Sequence, residues 1–80
     1  MAIQQILSPL PGTFYRSPAP DKPPFKNEAD RIAKGDVIGL VEVMKMFCEV
    51  KAEFAGKVVR FLVGNEDSVV AGQPLVDIDV

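Results

Sequence analysis

The chain has 80 residues, enough for one domain, and a domain of this size buries only about 60% of its unfolded surface. Its net charge of −2 and the lack of a long basic run exclude an electrostatic footprint for nucleic acid. With no histidine and one cysteine, Cys48, the chain alone cannot form an internal disulfide, a zinc site or a Ser/His or Cys/His catalytic pair. No signal peptide and no membrane span is recognisable. We expect a cytoplasmic protein, or a plastid stromal one if an upstream targeting segment has been removed.

The first predicted elements, in chain order, are a strand, a stiff excursion and a loop. Gly12 is followed by a β-prone run that reaches Arg16. Residues 17–24 hold four prolines, which predict an extended segment that is not a strand. Residues 26–34 are polar and lack an apolar stripe, so we expect a loop with a short strand and no helix.

Alternating apolar and polar residues predict the later strands. Glu42, Asp77 and Asp79 should point outwards, and Cys48 should be a small core residue. We predict inward-facing side chains at these positions: Phe14, Gly39, Val41, Val43, Cys48, Val50, Ala52, Phe54, Val59, Phe61, Val63, Val76, Ile78 and Val80. Short strands separated by turn signals indicate an all-β sandwich or barrel.

An internal repeat divides the chain into two halves. Residues 32–38 align with 69–75 at a spacing of 37, and Gly35 and Gly72 fall where each copy needs a turn with positive φ. Residues 11–16 align more weakly with 55–60. On this alignment the first half has about seven extra residues, which we assign to 17–24. The repeat predicts pseudo-two-fold symmetry.

The repeat also places Met44 and Lys45 at the junction of the two halves. We expect a hairpin tip there, at the opposite end of the sandwich from Met1 and Val80. Tight hairpins favour Asn-Gly or Asp-Gly, so turn chemistry does not explain Met-Lys-Met. Two methionines offer soft apolar side chains to a partner, and the lysine offers an amine that can be acylated.

Two stretches carry a resemblance to a known family. Glu42-Val43-Met44-Lys45-Met46 resembles the Glu-Ala-Met-Lys-Met signature of biotin-dependent carboxylases, with Val43 replacing alanine. Residues 11–21 resemble a stretch in the biotin carboxyl carrier proteins of acetyl-CoA carboxylase. The resemblance covers roughly residues 6–80. It implies a single biotinyl domain over residues 1–80, a flattened β-sandwich of two four-stranded antiparallel sheets with a protruding proline-rich thumb at about 17–24.

The resemblance implies that Lys45 is the attachment site of biotin, the covalent cofactor. A biotin protein ligase would activate biotin as an acyl adenylate, and Lys45 would form the amide. The arm would then swing between a biotin carboxylase and a carboxyltransferase, for acetyl-CoA carboxylation in fatty acid biosynthesis. The chain would be a carrier with no catalytic residue and no metal, and neither nucleic acid nor membrane is expected as a partner.

The resemblance also assigns roles to residues around Lys45. Ligase recognition is implied for Glu42, Val43, Met44 and Met46. Four thumb residues are expected near the biotin: Ser17, Pro18, Ala19 and Pro20.

Four other functions remain open. The carrier could be free-standing and serve another biotin-dependent carboxylase. A lipoyl carrier shares the sandwich and the hairpin lysine, but its tip favours Asp-Lys-Ala, which Met44 and Met46 do not match. An unmodified interaction module could bind partners through the two methionines. An independent enzyme is the least favoured, for lack of histidine and of a sizeable pocket.

Overall fold

Glycine, proline and polar turn residues divide the chain into eight short strands in the computed structural model, which describes residues 2–80. The strands are β1 (Ile3–Leu7), β2 (Gly12–Tyr15), β3 (Arg31–Ile32), β4 (Val37–Val43), β5 (Met46–Lys51), β6 (Gly56–Phe61), β7 (Ser68–Val69) and β8 (Pro74–Asp79). Over these described residues there is no helix, and therefore none that is long and apolar enough to cross a membrane. The all-β prediction is confirmed.

The strands form two four-stranded antiparallel sheets. One sheet has the order β1-β8-β6-β3 and the other has the order β5-β4-β2-β7. Exchanging each strand with the one four places away along the chain converts one order into the other. The predicted pseudo-two-fold symmetry is therefore present in the topology, and the β4–β5 hairpin is the counterpart of the β8–β1 pair.

The paired turns of the repeat have the same backbone conformation. Gly35 and Gly72 have φ values of 93° and 82°, as the alignment predicted. The Gly35 N–H donates to the Ala52 carbonyl at 2.8 Å, and the Gly72 N–H donates to the Ser8 carbonyl at 2.8 Å. Each turn thus ties one half of the chain to a strand end in the other half.

Glycine is also required where two strands within each half approach each other closely. A Cβ added to Gly12 would overlap the Glu42 carbonyl oxygen, and one added to Gly56 would lie 2.6 Å from the Asp79 carbonyl oxygen. Gly12 and Gly56 are counterparts in the repeat, as are Glu42 and Asp79. The weaker part of the sequence alignment is therefore also correct in structure.

The core lies between the two sheets and contains side chains from both halves of the chain. Bulges at Ile38, Val59 and Leu75 interrupt the strict alternation of side chains along the strands. The buried apolar residues are Ile6, Phe14, Ile32, Ile38, Val41, Val50, Ala52, Val58, Val69, Leu75, Val76 and Ile78.

Two predicted orientations are wrong, because alternation was extended across a bulge or past a strand end. The bulge at Val59 turns Val58 into the core and leaves Val59 only half-buried. Val80 lies beyond β8 and is exposed. Asp77 faces outwards as predicted, but it is only 4% exposed. Cys48 is half-buried, on the core-facing side of β5.

Asp77 is buried because two side chains cover its carboxylate on the outer face of the sheet. Gln5 Nε2 donates to Oδ1 at 3.0 Å, and Arg60 Nε donates to Oδ2 at 3.0 Å. These bonds join β1, β8 and β6 across the sheet. A buried carboxylate needs such partners, since burying it unpaired would cost several kcal/mol.

The seven surplus residues lie between Arg16 and Asn27. Asn27 and Gly64 each donate a backbone N–H, at 2.7 Å, to the carboxylate of the aspartate three residues later, so they are counterparts. Eleven positions separate Arg16 from Asn27, whereas four separate Arg60 from Gly64. The surplus forms a loop whose ends meet where the Phe25 N–H donates to the Arg16 carbonyl at 2.8 Å. We call residues 17–24 of this loop the thumb.

The turn before β4 makes folding stability depend on pH through Asp36. The Ala33 N–H donates to Asp36 Oδ2 at 2.9 Å and Lys26 Nζ lies 3.4 Å from the same oxygen, so the pKa of Asp36 is lowered from its ordinary value. A lowered folded-state pKa adds stability above the ordinary aspartate value near 3.8, and this stability is lost as the pH falls through the folded-state value.

We predict that Asp36→Asn flattens the acid side of the stability profile. The counterpart turn already uses a neutral acceptor, since the Val70 N–H donates to Gln73 Oε1 at 3.0 Å, so the turn should persist. Urea midpoints measured from pH 7 down to pH 3 should fall less in Asp36→Asn than in the wild type. Equal slopes in both proteins would contradict the assignment.

Candidate functional site

The β4–β5 hairpin ends in a two-residue turn formed by Met44 and Lys45. Val43 pairs with Met46 across the turn, and the φ values of Met44 and Lys45 are 50° and 67°. Two consecutive positive φ values match the strand twist, which is why such turns favour Asn-Gly. Residues with a Cβ are held there at a cost of about 1–2 kcal/mol each. Strain of this kind is often kept at functional positions.

The turn exposes an amine between apolar side chains. Lys45 is exposed, and the exposed fractions are 91% for Met44 and 76% for Met46. Phe47 follows and is 60% exposed. Large apolar side chains so exposed are available for contact with a partner, and the lysine between them has a flexible four-carbon stem. The predicted hairpin tip is thus present.

We predict that Met44→Asn separates stability from recognition at this turn. Asparagine tolerates positive φ better than methionine, so the free energy of unfolding should rise by about 0.5–1 kcal/mol. The same change removes an exposed apolar contact, so the acylation of Lys45 that the sequence predicts should slow. Thermal unfolding and the initial rate of mass change with a modifying ligase measure the two effects. A more stable protein that is modified at the wild-type rate would show that Met44 is not recognised.

Glu42 and Val43 do not extend the exposed tip. Glu42 is half-buried, and the Tyr15 hydroxyl donates to its Oε1 at 3.0 Å. This hydrogen bond is the main reason why the pKa of Tyr15 is raised, with burial of the hydroxyl and the negative charges of Glu42 and Glu66 contributing. Val43 is half-buried and packs against the core.

A groove of about 340 Å³ lies between the thumb and the β4–β5 hairpin. Its thumb wall contains all four thumb residues that were predicted near the attached group: Ser17, Pro18, Ala19 and Pro20. Its other walls are Tyr15, Phe47, Asn65 and Glu66. The rings of Tyr15 and Phe47 lie 6.0 Å apart, centre to centre. The tip residues themselves do not line the groove, but Phe47 directly follows Met46.

Tyr15 and Phe47 were missed as site residues by the sequence reasoning. Glu42 is paired with both Thr13 and Phe47 across neighbouring strands, so these side chains share one outer face of the sheet. Tyr15 lies diagonally from Glu42 on that face. The signal was therefore the register between β2, β4 and β5, which a single sequence does not show.

Comparison with known proteins places this fold and hairpin in a family. The family model described as "Biotin-requiring enzyme" matches residues 4–78. The chain belongs to the biotin-requiring enzyme family. Within the described part of the chain, residues 2–80, no three histidine, cysteine or acidic side chains are grouped as metal ligands would be.

The curated relatives of this family member are carrier proteins. It is 40% identical over 76 residues to the biotin carboxyl carrier protein of acetyl-CoA carboxylase from Nostoc sp., a match that covers 95% of this chain and 42% of that protein. Identity to the Chlamydia pneumoniae protein of the same name is 46% over 70 residues, which cover 88% of this chain and 42% of that protein. The Glycine max chloroplastic protein is 38% identical over 74 residues, which cover 92% of this chain and 28% of that protein. The chain spans less than half the length of these relatives.

Solved structures share the fold of this family member. The crystal structure of the Kluyveromyces lactis urea carboxylase matches 99% of this chain and 6% of that one, with a TM-score of 0.81 and 28% identity. A single-chain, multi-domain long-chain acyl-CoA carboxylase matches 94% of this chain and 7% of that one, with a TM-score of 0.77 and 25% identity. The predicted family and the predicted two-sheet sandwich are both confirmed.

Proposed function

We propose that this chain is a biotin carboxyl carrier domain that holds biotin as an amide on Lys45. The observation that carries the proposal is the exposed amine at a two-residue turn with strained backbone, flanked by two exposed methionines. Family membership supports biotin as the attached group. The proposed role is that of a carrier, and the reactions on the carried group belong to partner proteins.

The residues present fit a covalently attached biotin. Lys45 offers a primary amine that a ligase active site can reach from outside the sandwich. The groove offers mainly apolar walls, Pro18, Ala19, Pro20 and Phe47, with polar groups of Ser17 and Asn65 beside them. Small-molecule sites typically combine an apolar lining with a few polar groups of this kind.

The chemistry required of the chain is acylation of one amine. The unprotonated Lys45 Nζ attacks the acyl carbon of biotin that a biotin protein ligase has activated as an adenylate. A C–N bond forms, AMP leaves with the electrons of the broken C–O bond, and the amine proton passes to solvent. The product is a neutral amide, so the net charge of the chain becomes one unit more negative.

After attachment, the domain tethers and orients the arm. When bound, biotin supplies a ureido nitrogen that takes up and releases a carboxyl group. Lys45 adds its flexible stem to the reach of the arm, which raises the effective concentration of the group at partner active sites. The thumb and Phe47 limit where the arm can rest, because they enclose the groove next to the tip.

The proposed partners are a biotin protein ligase, a biotin carboxylase and a carboxyltransferase. We propose acetyl-CoA as the acceptor, in fatty acid biosynthesis, because the three relatives are named for acetyl-CoA carboxylase. These relatives include a chloroplastic protein, in keeping with a cytoplasmic or plastid location. Supplied with this carrier, the biotin carboxylase and carboxyltransferase of an acetyl-CoA carboxylase should turn over, whereas those of a urea carboxylase should not.

Intact mass spectrometry tests the nature of the attached group. The protein is incubated in parallel with biotin ligase, ATP and biotin, and with lipoate ligase, ATP and lipoate. We expect one biotinyl group per chain in the first reaction and no change in the second. A lipoyl adduct alone would identify a lipoyl carrier, and no adduct in either would favour an interaction module, whose partner binding should survive Lys45→Ala.

A further inference from the structure

Arg16 lies at the entrance to the thumb and joins three parts of the chain through its backbone. Its carbonyl accepts from the Phe25 N–H at 2.8 Å, which closes the base of the thumb. Its own N–H donates to Asn65 Oδ1 at 2.8 Å. Asn65 belongs to the loop between β6 and β7 and lines the groove opposite the thumb. The two sides of the groove therefore meet at the Arg16 backbone.

The Arg16 side chain holds the C-terminal end of the thumb at its base. One terminal nitrogen, Nη2, donates to the Lys26 carbonyl at 3.2 Å. The guanidinium carbon lies 4.1 Å from the centre of the Phe61 ring, and Phe61 packs against the core. A planar cation stacked on a ring while donating sideways is a geometry that lysine cannot reproduce.

One unpaired nitrogen indicates that the Arg16 side chain is held in a fixed position. Its Nε is buried and has no hydrogen-bond partner among the described residues. An unpaired buried donor is unfavourable, so the stacking and the Lys26 bond must together hold the guanidinium where it is. A more mobile side chain would turn this N–H towards water.

Arg60 occupies the equivalent position in the second half and behaves differently. It is paired with Asp77, its side chain is 65% exposed, and no insertion follows it. The contacts of Arg16 thus depend on the thumb and not on a requirement of the sandwich for arginine. This makes Arg60 a matched control.

We propose that Arg16 is a positioning residue that clamps both ends of the thumb and so keeps Ser17–Pro20 over the groove beside Phe47. The proposal rests on the proposed function only for the identity of the group that the groove accommodates. The clamp itself concerns the order of the thumb and can be measured without biotin.

The test compares Arg16→Lys and Arg60→Lys with the wild type by NMR. Backbone order parameters of the thumb amides of Ser17, Ala19, Asp21 and Lys22 are measured on the unmodified domain. In Arg16→Lys we expect them to fall from about 0.85 to below about 0.6, with core amides of β8 unchanged. In Arg60→Lys the thumb values should stay at the wild-type level. Arg16→Met, which keeps an unbranched stem on Phe61, replaces the lysine variant if that one does not fold.

The same proteins are then biotinylated and their thumb amide shifts are compared before and after. We expect Arg16→Lys to take up biotin within twofold of the wild-type rate, because Arg16 is remote from the tip in sequence and contacts, but to lose most of the biotin-dependent shifts. Thumb amides that stay ordered in the Arg16 variant that is measured would overturn the clamp. Failure of the wild type to take up biotin would instead overturn the proposed function, and the order parameters would still decide the role of Arg16.

Discussion

Lys45→Arg is expected to abolish biotin attachment while the sandwich stays folded. Arginine keeps the positive charge and the length of the side chain, but its guanidinium stays protonated and has no free electron pair for attack on an acyl carbon. Position 45 is exposed in a turn, so the free energy of unfolding should change by no more than about 0.5 kcal/mol. Intact mass after ligase treatment and a urea titration measure the two quantities.

Lys51→Arg is the matched control for this substitution. Lys51 is exposed on β5 of the same hairpin and pairs loosely with Glu49, at 3.8 Å. It should take up one biotinyl group at the wild-type rate. An adduct on Lys45→Arg, or its loss in Lys51→Arg, would be incompatible with Lys45 as the attachment site.

Gly12→Ala is expected to damage the fold severely. The new Cβ would overlap the Glu42 carbonyl oxygen and lie 3.0 Å from Val41 Cγ1, so β2 and β4 must separate. We expect a loss of about 3 kcal/mol. The total free energy of unfolding of an 80-residue domain is roughly 4–12 kcal/mol, so this loss is a large part of it. For a domain of this size the loss lowers the melting temperature by roughly 12–24 °C. Urea and thermal unfolding followed by circular dichroism measure it.

Gly64→Ala separates this clash from the general effect of removing a glycine. A Cβ at Gly64 would meet only the flexible Asp67 carboxylate, at 3.3 Å, and Gly64 has no positive φ. We expect it to stay within about 1 kcal/mol of the wild type. If Gly12→Ala cost no more than Gly64→Ala, the close approach of β2 and β4 would be wrong.

Gly12→Ala should also slow biotin uptake, because β4 leads directly into the tip.

The features that the sequence predicted correctly are those fixed by local spacing. The repeat at 37 residues located the turns at Gly35 and Gly72 and the junction at Met44 and Lys45. Turn glycines and a two-residue connection leave the backbone few choices, so their positions can be read from one sequence. The surplus in the first half was likewise countable, since symmetry gives the expected length of the loop.

The features that the sequence did not predict depend on contacts between distant strands. A bulge at Val59 exchanges the orientations of Val58 and Val59, and nothing in the residue types marks that position. Asp77 is buried because Gln5 and Arg60 reach it from two neighbouring strands. Alternation alone treats every acidic residue in a strand as solvated.

The groove shows the same division between local and long-range information. The thumb residues could be named from their proline content and from the family resemblance. Tyr15 and Phe47 could not, because they face the groove only when β2, β4 and β5 are paired in the observed register. The hydrogen bond from Tyr15 to Glu42 likewise depends on that register.

Peptide mapping of the biotinylated wild type tests the central claim most directly. Cleavage after glutamate releases residues 43–49, whose only lysine is Lys45, and residues 50–53, whose only lysine is Lys51. We predict that the whole biotinyl mass is found on peptide 43–49, with fragment ions that place it on Lys45. Biotin on peptide 50–53, or on any other lysine-containing peptide in place of 43–49, would contradict the account.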